Sequence, residues 1–103
     1  MIHQIENNNL SEIEFDQEGI VLLYFDDSVL PPYEYQMPAI QELSDKHSVC
    51  IGIVDRENDN EELFEQFDIT SVPTFVLTVF GPELKRDIGR KSVDELLEFI
   101  KPY

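Results

Sequence analysis

The segment IVLLYF, Ile20 to Phe25, constrains the fold more than any other part of this chain. It is apolar at every position and has strand length, so it suits a central strand covered on both faces. A second such run, VCIGIV, spans Val49 to Val54. The third, SVPTFVLTVF from Ser71 to Phe80, is rich in β-branched and aromatic residues, with Pro73 at its start, where a strand tolerates proline.

Strands buried on both faces need covering layers, and the intervening segments are of helical type. Tyr33, Met37, Ile40 and Leu43 recur at helical spacing and form one apolar stripe, with Glu34, Gln41, Glu42 and Asp45 on the polar face. Pro38 inside this helix removes a backbone donor and is expected to kink it. Leu63, Phe64 and Phe67 share a face of the next helix. Val93, Leu96, Leu97, Phe99 and Ile100 give the last helix its apolar side, opened by a Ser92/Glu95 capping box. A similar box, Ser11 with Glu14, predicts a brief early helix carrying Ile13 and Phe15, after a short edge strand around Ile2 and Ile5. Gly81-Pro82 turns the third run into ELKRDI as a hairpin. The order is therefore β-α-β-α-β-α-β-β-α. Crossovers through helices make parallel strands and the closing hairpin antiparallel ones, so the expected fold class is α/β with a mixed central sheet and helices on both faces.

A length of 103 residues suits one domain over the whole chain, large enough to fold without disulfides or metals. The single cysteine, Cys50, cannot close a disulfide within the chain, and no CxxC, paired Cys/His or HExxH spacing offers a zinc site. No cofactor is implied. Cys50 lies in an apolar run with no cation nearby in sequence to stabilise a thiolate, so it reads as a small core residue. His3 and His47 are isolated from any nucleophile. The N-terminal segment has neither a basic start nor a long apolar core, and no run approaches the length of a membrane span, so a soluble, cytoplasmic protein is expected.

Charge narrows the partners. Against 22 Asp and Glu stand 7 Lys and Arg, a formal net charge of −15. Such a field repels phosphate backbones and anionic lipid, so neither nucleic acid nor membrane is an expected partner. It favours cationic polypeptides, or serves solubility alone. Asp55, Glu57 and Asp59 alternate like the first ligands of a calcium loop, but Asn60 stands where the loop needs glycine and Gln66 where it needs glutamate. That leaves at most weak calcium binding by an acidic surface, and no dedicated metal site.

The order of elements and a set of residues resemble the thioredoxin family along essentially the whole chain. Phe25 matches that family's strand-end phenylalanine, and Leu30-Pro31-Pro32-Tyr33 falls on its Cys-Gly-Pro-Cys tetrad without a gap. Pro38 matches the helix-kinking proline, Val72-Pro73-Thr74 the segment that carries a cis peptide, and Gly89 the late glycine. ELFEQFDITSVP, Glu62 to Pro73, follows the family's usual ELAEKYGIRSVP. The departures fall on the chemistry. Leu30 and Tyr33 replace the attacking and resolving cysteines, Tyr24 replaces a buried acid and Val29 a tryptophan. Thiol–disulfide exchange requires a thiolate attack that neither Leu30 nor Tyr33 can make. No catalytic residue and no enzyme activity of the thioredoxin type are expected, although a family label alone would suggest redox homeostasis.

The resemblance implies a shallow groove where the tetrad meets the Val-Pro-Thr and glycine loops. Val29, Leu30, Pro31, Pro32 and Tyr33, with Val72, Pro73, Thr74, Gly89 and Arg90, are the candidate site for a polypeptide partner, basic or extended, or for a second copy of the chain. Asp26 and Asp27 on one side, and Arg90 and Lys91 on the other, would supply a charged rim. The alternative is that Leu30 and Tyr33 fold down and plug the groove.

Overall fold

A computed structural model describes residues 1–12, 19–79 and 81–101. Its elements are β1 (Ile2–Ile5), β2 (Ile20–Asp26), α1 (Pro31–His47), β3 (Ile51–Asp55), α2 (Glu61–Gln66), β4 (Thr74–Val79), β5 (Glu83–Ile88) and α3 (Val93–Ile100), with 3-10 turns at Asn9–Glu12 and Arg56–Asn58. The brief helix expected at Ile13 and Phe15 lies outside the described residues. The strands form one sheet in the order β1-β3-β2-β4-β5. β3 runs parallel to both β1 and β2, while β4 is antiparallel to β2 and β5.

The apolar runs become the middle of this sheet because only there are both faces covered. On one face Val21, Leu23 and Phe25 of β2 meet Val54, Val76 and the α2 residues Leu63 and Phe64. On the other, Leu22 and Tyr24 meet Ile53, Phe75, Leu77, Ile40 and Leu43 of α1, and Leu96 and Ile100 of α3. The charged strand ELKRDI goes to the edge, as β5, where most of its residues face solvent.

Two helix ends are set by local chemistry. α1 starts with prolines at its first two positions, where a missing N–H costs nothing, and continues through Pro38, which sits on the solvent side. α3 starts on Ser92, whose Oγ accepts from the Glu95 N–H while Glu95 Oε1 accepts from the Ser92 N–H. This is the capping box read from the sequence.

Cys50 is buried immediately before β3 rather than within it, packed in the cluster that includes Ile5 and Phe64. Leu22 pairs with Ile51 and Asp26 with Asp55, so the chain segment after β2 and the thiol before β3 lie at opposite ends of the sheet. The separation exceeds the length of β3, since the steps from Cys50 to Asp55 alone span roughly 17 Å at about 3.3 Å per residue.

Candidate functional site

Register brings the candidate residues together. Phe25, at the end of β2, pairs with Thr74 at the start of β4, and Thr74 pairs with Ile88 at the end of β5. The segments just outside this row are the loop after β2, the Val72-Pro73 segment and the Gly89-Arg90 turn. The last two are joined by the Gly89 N–H donating to the Pro73 carbonyl at 2.9 Å. Gly89 holds φ at +106°, a conformation that a side chain would strain. The Val72–Pro73 peptide is cis, Pro73 and Thr74 are buried, and Thr74 Oγ1 donates to the Ser71 carbonyl at 2.6 Å.

Within the tetrad region the side chains divide. Val29 is 70% exposed and Leu30 40% exposed, with Pro31 also open to solvent. Tyr33 instead turns inward, half-buried, its ring stacked at 6.2 Å on Tyr24, which itself stacks on Phe75 at 5.2 Å. Burial and the nearby carboxylates of Asp55 and Asp26 raise the Tyr33 phenol, against a hydrogen bond with Gln4. The choice between an open patch and a plugged groove thus falls residue by residue: Tyr33 fills, Val29 and Leu30 face out.

The expected rim needs correction on both sides. Asp26 and Asp27 are not at the surface but buried, together with Asp55 of the neighbouring strand. Asp26 accepts a hydrogen bond from the Tyr24 hydroxyl. Burial is the main cause that pushes the Asp26 carboxyl above the usual carboxylate range, partly opposed by the hydrogen bonds from Tyr24 and the Asp27 N–H. Arg56 approaches Asp27 at 3.8 Å and lies over the Phe64 ring. Glu57 is exposed, and its hydrogen bond with Asp27 and the repulsion between the two carboxyls raise it.

On the opposite side Lys91 is drawn in. It pairs with Asp87 at 2.9 Å, leaving its side chain 10% exposed, and the Gln36 amide both donates to and accepts from its backbone at 2.8 Å. Arg90 remains exposed, its guanidinium 5.3 Å over the Tyr35 ring. Tyr35, 64% exposed, was not among the sequence candidates. Its signal was available, since Tyr35 falls off the Tyr33, Met37, Ile40 stripe and so must point away from the sheet.

Asn60 has a structural role that the sequence did not announce. It is buried, donating to the carbonyls of Ile5 and Asp55 while its oxygen accepts from the Asn8 N–H. It joins the ends of β1 and β3. Among the described residues no group of three or more His, Cys, Asp or Glu side chains is arranged to hold a metal ion.

A mixed five-stranded sheet in this order, flanked by helices and with a proline loop beside the start of α1, is a thioredoxin fold. A thioredoxin point mutant from Halobacterium salinarum superposes with a TM-score of 0.82 at 19% identity, covering 99% of this chain and 89% of that one. A thioredoxin f2 from Chlamydomonas reinhardtii gives 0.81 at 24% identity, covering 97% and 94%. In sequence, a thioredoxin of Chlamydia caviae is 31% identical over 90 residues, 86% of this chain and 87% of the relative. One of Listeria monocytogenes is 28% identical over 98 residues, 91% and 95%. No protein-family model matches the chain. The chain belongs to the thioredoxin family. At the tetrad of that family it carries Leu30-Pro31-Pro32-Tyr33, and its single cysteine lies at the far end of the sheet.

Proposed function

We propose that this chain is a redox-inactive member of its family that binds an extended, cationic polypeptide on the surface around Val29 and Leu30. The observation that carries the reading is the outward exposure of these two apolar side chains, Leu30 at the place of a thioredoxin's attacking cysteine and Val29 beside it. A fold inherited from an enzyme does not carry the enzyme's chemistry; the site does. Without sulfur at the tetrad the remaining tools are shape and polarity. Apolar residues at the centre, an exposed Tyr35 under Arg90 and polar surroundings suit protein recognition. Val72, ahead of Pro73 and the sheet-paired Thr74, is the part of this segment whose backbone would meet an extended chain.

Charge supports the choice of partner. The chain carries −15 overall, and beside the loop the repulsion between the carboxyls of Asp27 and Glu57 is partly offset by the Arg56 guanidinium. A lysine or arginine of the partner would relieve it. A reducing, cytoplasmic-type setting suits a protein that keeps its one thiol buried.

The test is fluorescence anisotropy with a labelled, cysteine-free peptide of lysine and leucine residues. The wild type is expected to bind it, more weakly at high salt. Leu30→Asp should lose binding while its urea midpoint stays close to wild type. Tyr33→Ala should do the reverse, losing about 2 kcal/mol of stability with the stacked ring while keeping the outward surface. Undiminished binding by Leu30→Asp would place the partner elsewhere.

A further inference from the structure

We propose that Asp26, Asp27 and Asp55 together clamp the loop after β2 in one conformation, with Asp55 acting from the neighbouring strand as the positioning residue for Val29 and Leu30. The inference rests on the reading of that loop as a binding surface. Its starting point is a run of four consecutive N–H groups, each with an oxygen acceptor. The Asp27 N–H donates to Asp26 Oδ1 at 2.7 Å and the Ser28 N–H to Asp55 Oδ1 at 2.9 Å. The Val29 N–H donates to Asp27 Oδ1 at 3.2 Å and the Leu30 N–H to the Asp27 carbonyl at 3.0 Å. Asp55 Oδ1 also accepts from the Glu57 N–H at 3.1 Å, which ties the loop to the 3-10 turn after β3.

Packing alone does not account for these residues. All three carboxylates are buried, and the guanidinium beside them, that of Arg56, is no closer to Asp27 than 3.8 Å. Buried like charges cost desolvation and repel one another. What they gain is a set of charge-assisted hydrogen bonds to backbone, stronger than neutral ones and shielded from competing water. Those bonds fix a loop whose side chains face solvent and gain little from packing. A surface ordered in advance does not lose conformational entropy when a partner docks.

Asp55 separates this role from the rest of the loop, because it lies on β3 and its removal leaves residues 26–33 unchanged in sequence. Its carboxylate lies within electrostatic reach of Asp26, Glu57, Tyr24 and Tyr33, and the Arg56 that follows it in the chain reaches Asp27. The experiment is amide hydrogen exchange by NMR on wild type, Asp55→Ala and Asp55→Asn. In Asp55→Ala the Ser28 amide should exchange about tenfold faster or more, the equivalent of one lost charge-assisted bond. The Leu22 and Leu77 amides of the core should keep their rates. Asn retains an acceptor oxygen, so Asp55→Asn should recover most of the protection. The anisotropy probe should bind Asp55→Ala about tenfold more weakly and Asp55→Asn nearly normally. Should Asp55→Ala not fold, the wild type still decides: its Ser28 amide must be protected from exchange although the Val29 and Leu30 side chains beside it face solvent.

An unchanged Ser28 rate in Asp55→Ala, equal acceleration of the core amides, or an unprotected Ser28 amide in the wild type would overturn the clamp. A loosened loop that binds the probe as well as wild type would overturn the positioning role. If wild type binds no probe while exchange behaves as stated, the polypeptide-binding reading fails and the clamp stands.

Discussion

The side chains of Tyr24 and Asp26 share one face of β2, and the Tyr24 hydroxyl donates to Asp26 Oδ2 while Asp26 Oδ1 accepts from the Asp27 backbone. Burial raises the Asp26 carboxyl above its value in an unfolded chain, about 3.9. The consequence for stability has a definite sign. Below the unfolded value both states hold the proton. As pH rises past it the unfolded chain releases its proton while the folded protein keeps one, so folding loses stability until the folded carboxyl has also ionised. Asp26→Asn lacks this loss. Urea unfolding from pH 4 to 7 should therefore show the stability of Asp26→Asn, measured relative to wild type, growing with pH and then levelling. A difference that is flat or falls with pH would mean that the hydrogen bonds outweigh burial. None of this was legible in the sequence, where Asp26 and Asp27 follow an apolar run and look like the start of a solvated loop. Their burial is a tertiary effect of β3 and the start of α1 closing over them, and the pairing of Asp26 with Asp55 depends on a register that no local pattern encodes.

The elements themselves were far more legible, because each carries its own signal. Continuous apolar runs identified β2, β3 and β4, the charge of ELKRDI its edge position, and Ser92 with Glu95 the start of α3. Boundaries shifted where a single residue decides them. β3 begins after Cys50, and β2 extends through Asp26, since backbone pairing continues past the last apolar side chain. The α3 cap gives a test of element stability. Ser92→Ala removes the acceptor for the Glu95 N–H and should cost about 1 kcal/mol, lowering the melting temperature by roughly 5 °C. Because Lys91 and Arg90 immediately precede this cap, a larger loss would show that α3 also holds the Gly89-Arg90 turn in place.

For the molecule as a whole, the fold holds together the end of the sheet that carries Leu30-Pro31-Pro32-Tyr33. The ends of β2, β4 and β5 are aligned by sheet register, so their loops converge whatever residues those loops carry. The core that enforces this register lies on both faces of the sheet and does not include Val29 or Leu30. Chemistry at that end can therefore change while the framework stays. The charge distribution fits the same picture, with acids spread over most of the chain and Lys85, Arg86, Arg90 and Lys91 gathered around β5 and the turn after it. Two of these cations are held in ion pairs, Arg86 with Glu83 and Lys91 with Asp87, which lower both acids below their usual range. Reduction of insulin by dithiothreitol, followed as turbidity with wild type and with Cys50→Ser, tests most directly whether recognition without thiol chemistry is the work of this site. Both proteins should give the same time course as reductant alone; faster precipitation with wild type, abolished by Cys50→Ser, would contradict it.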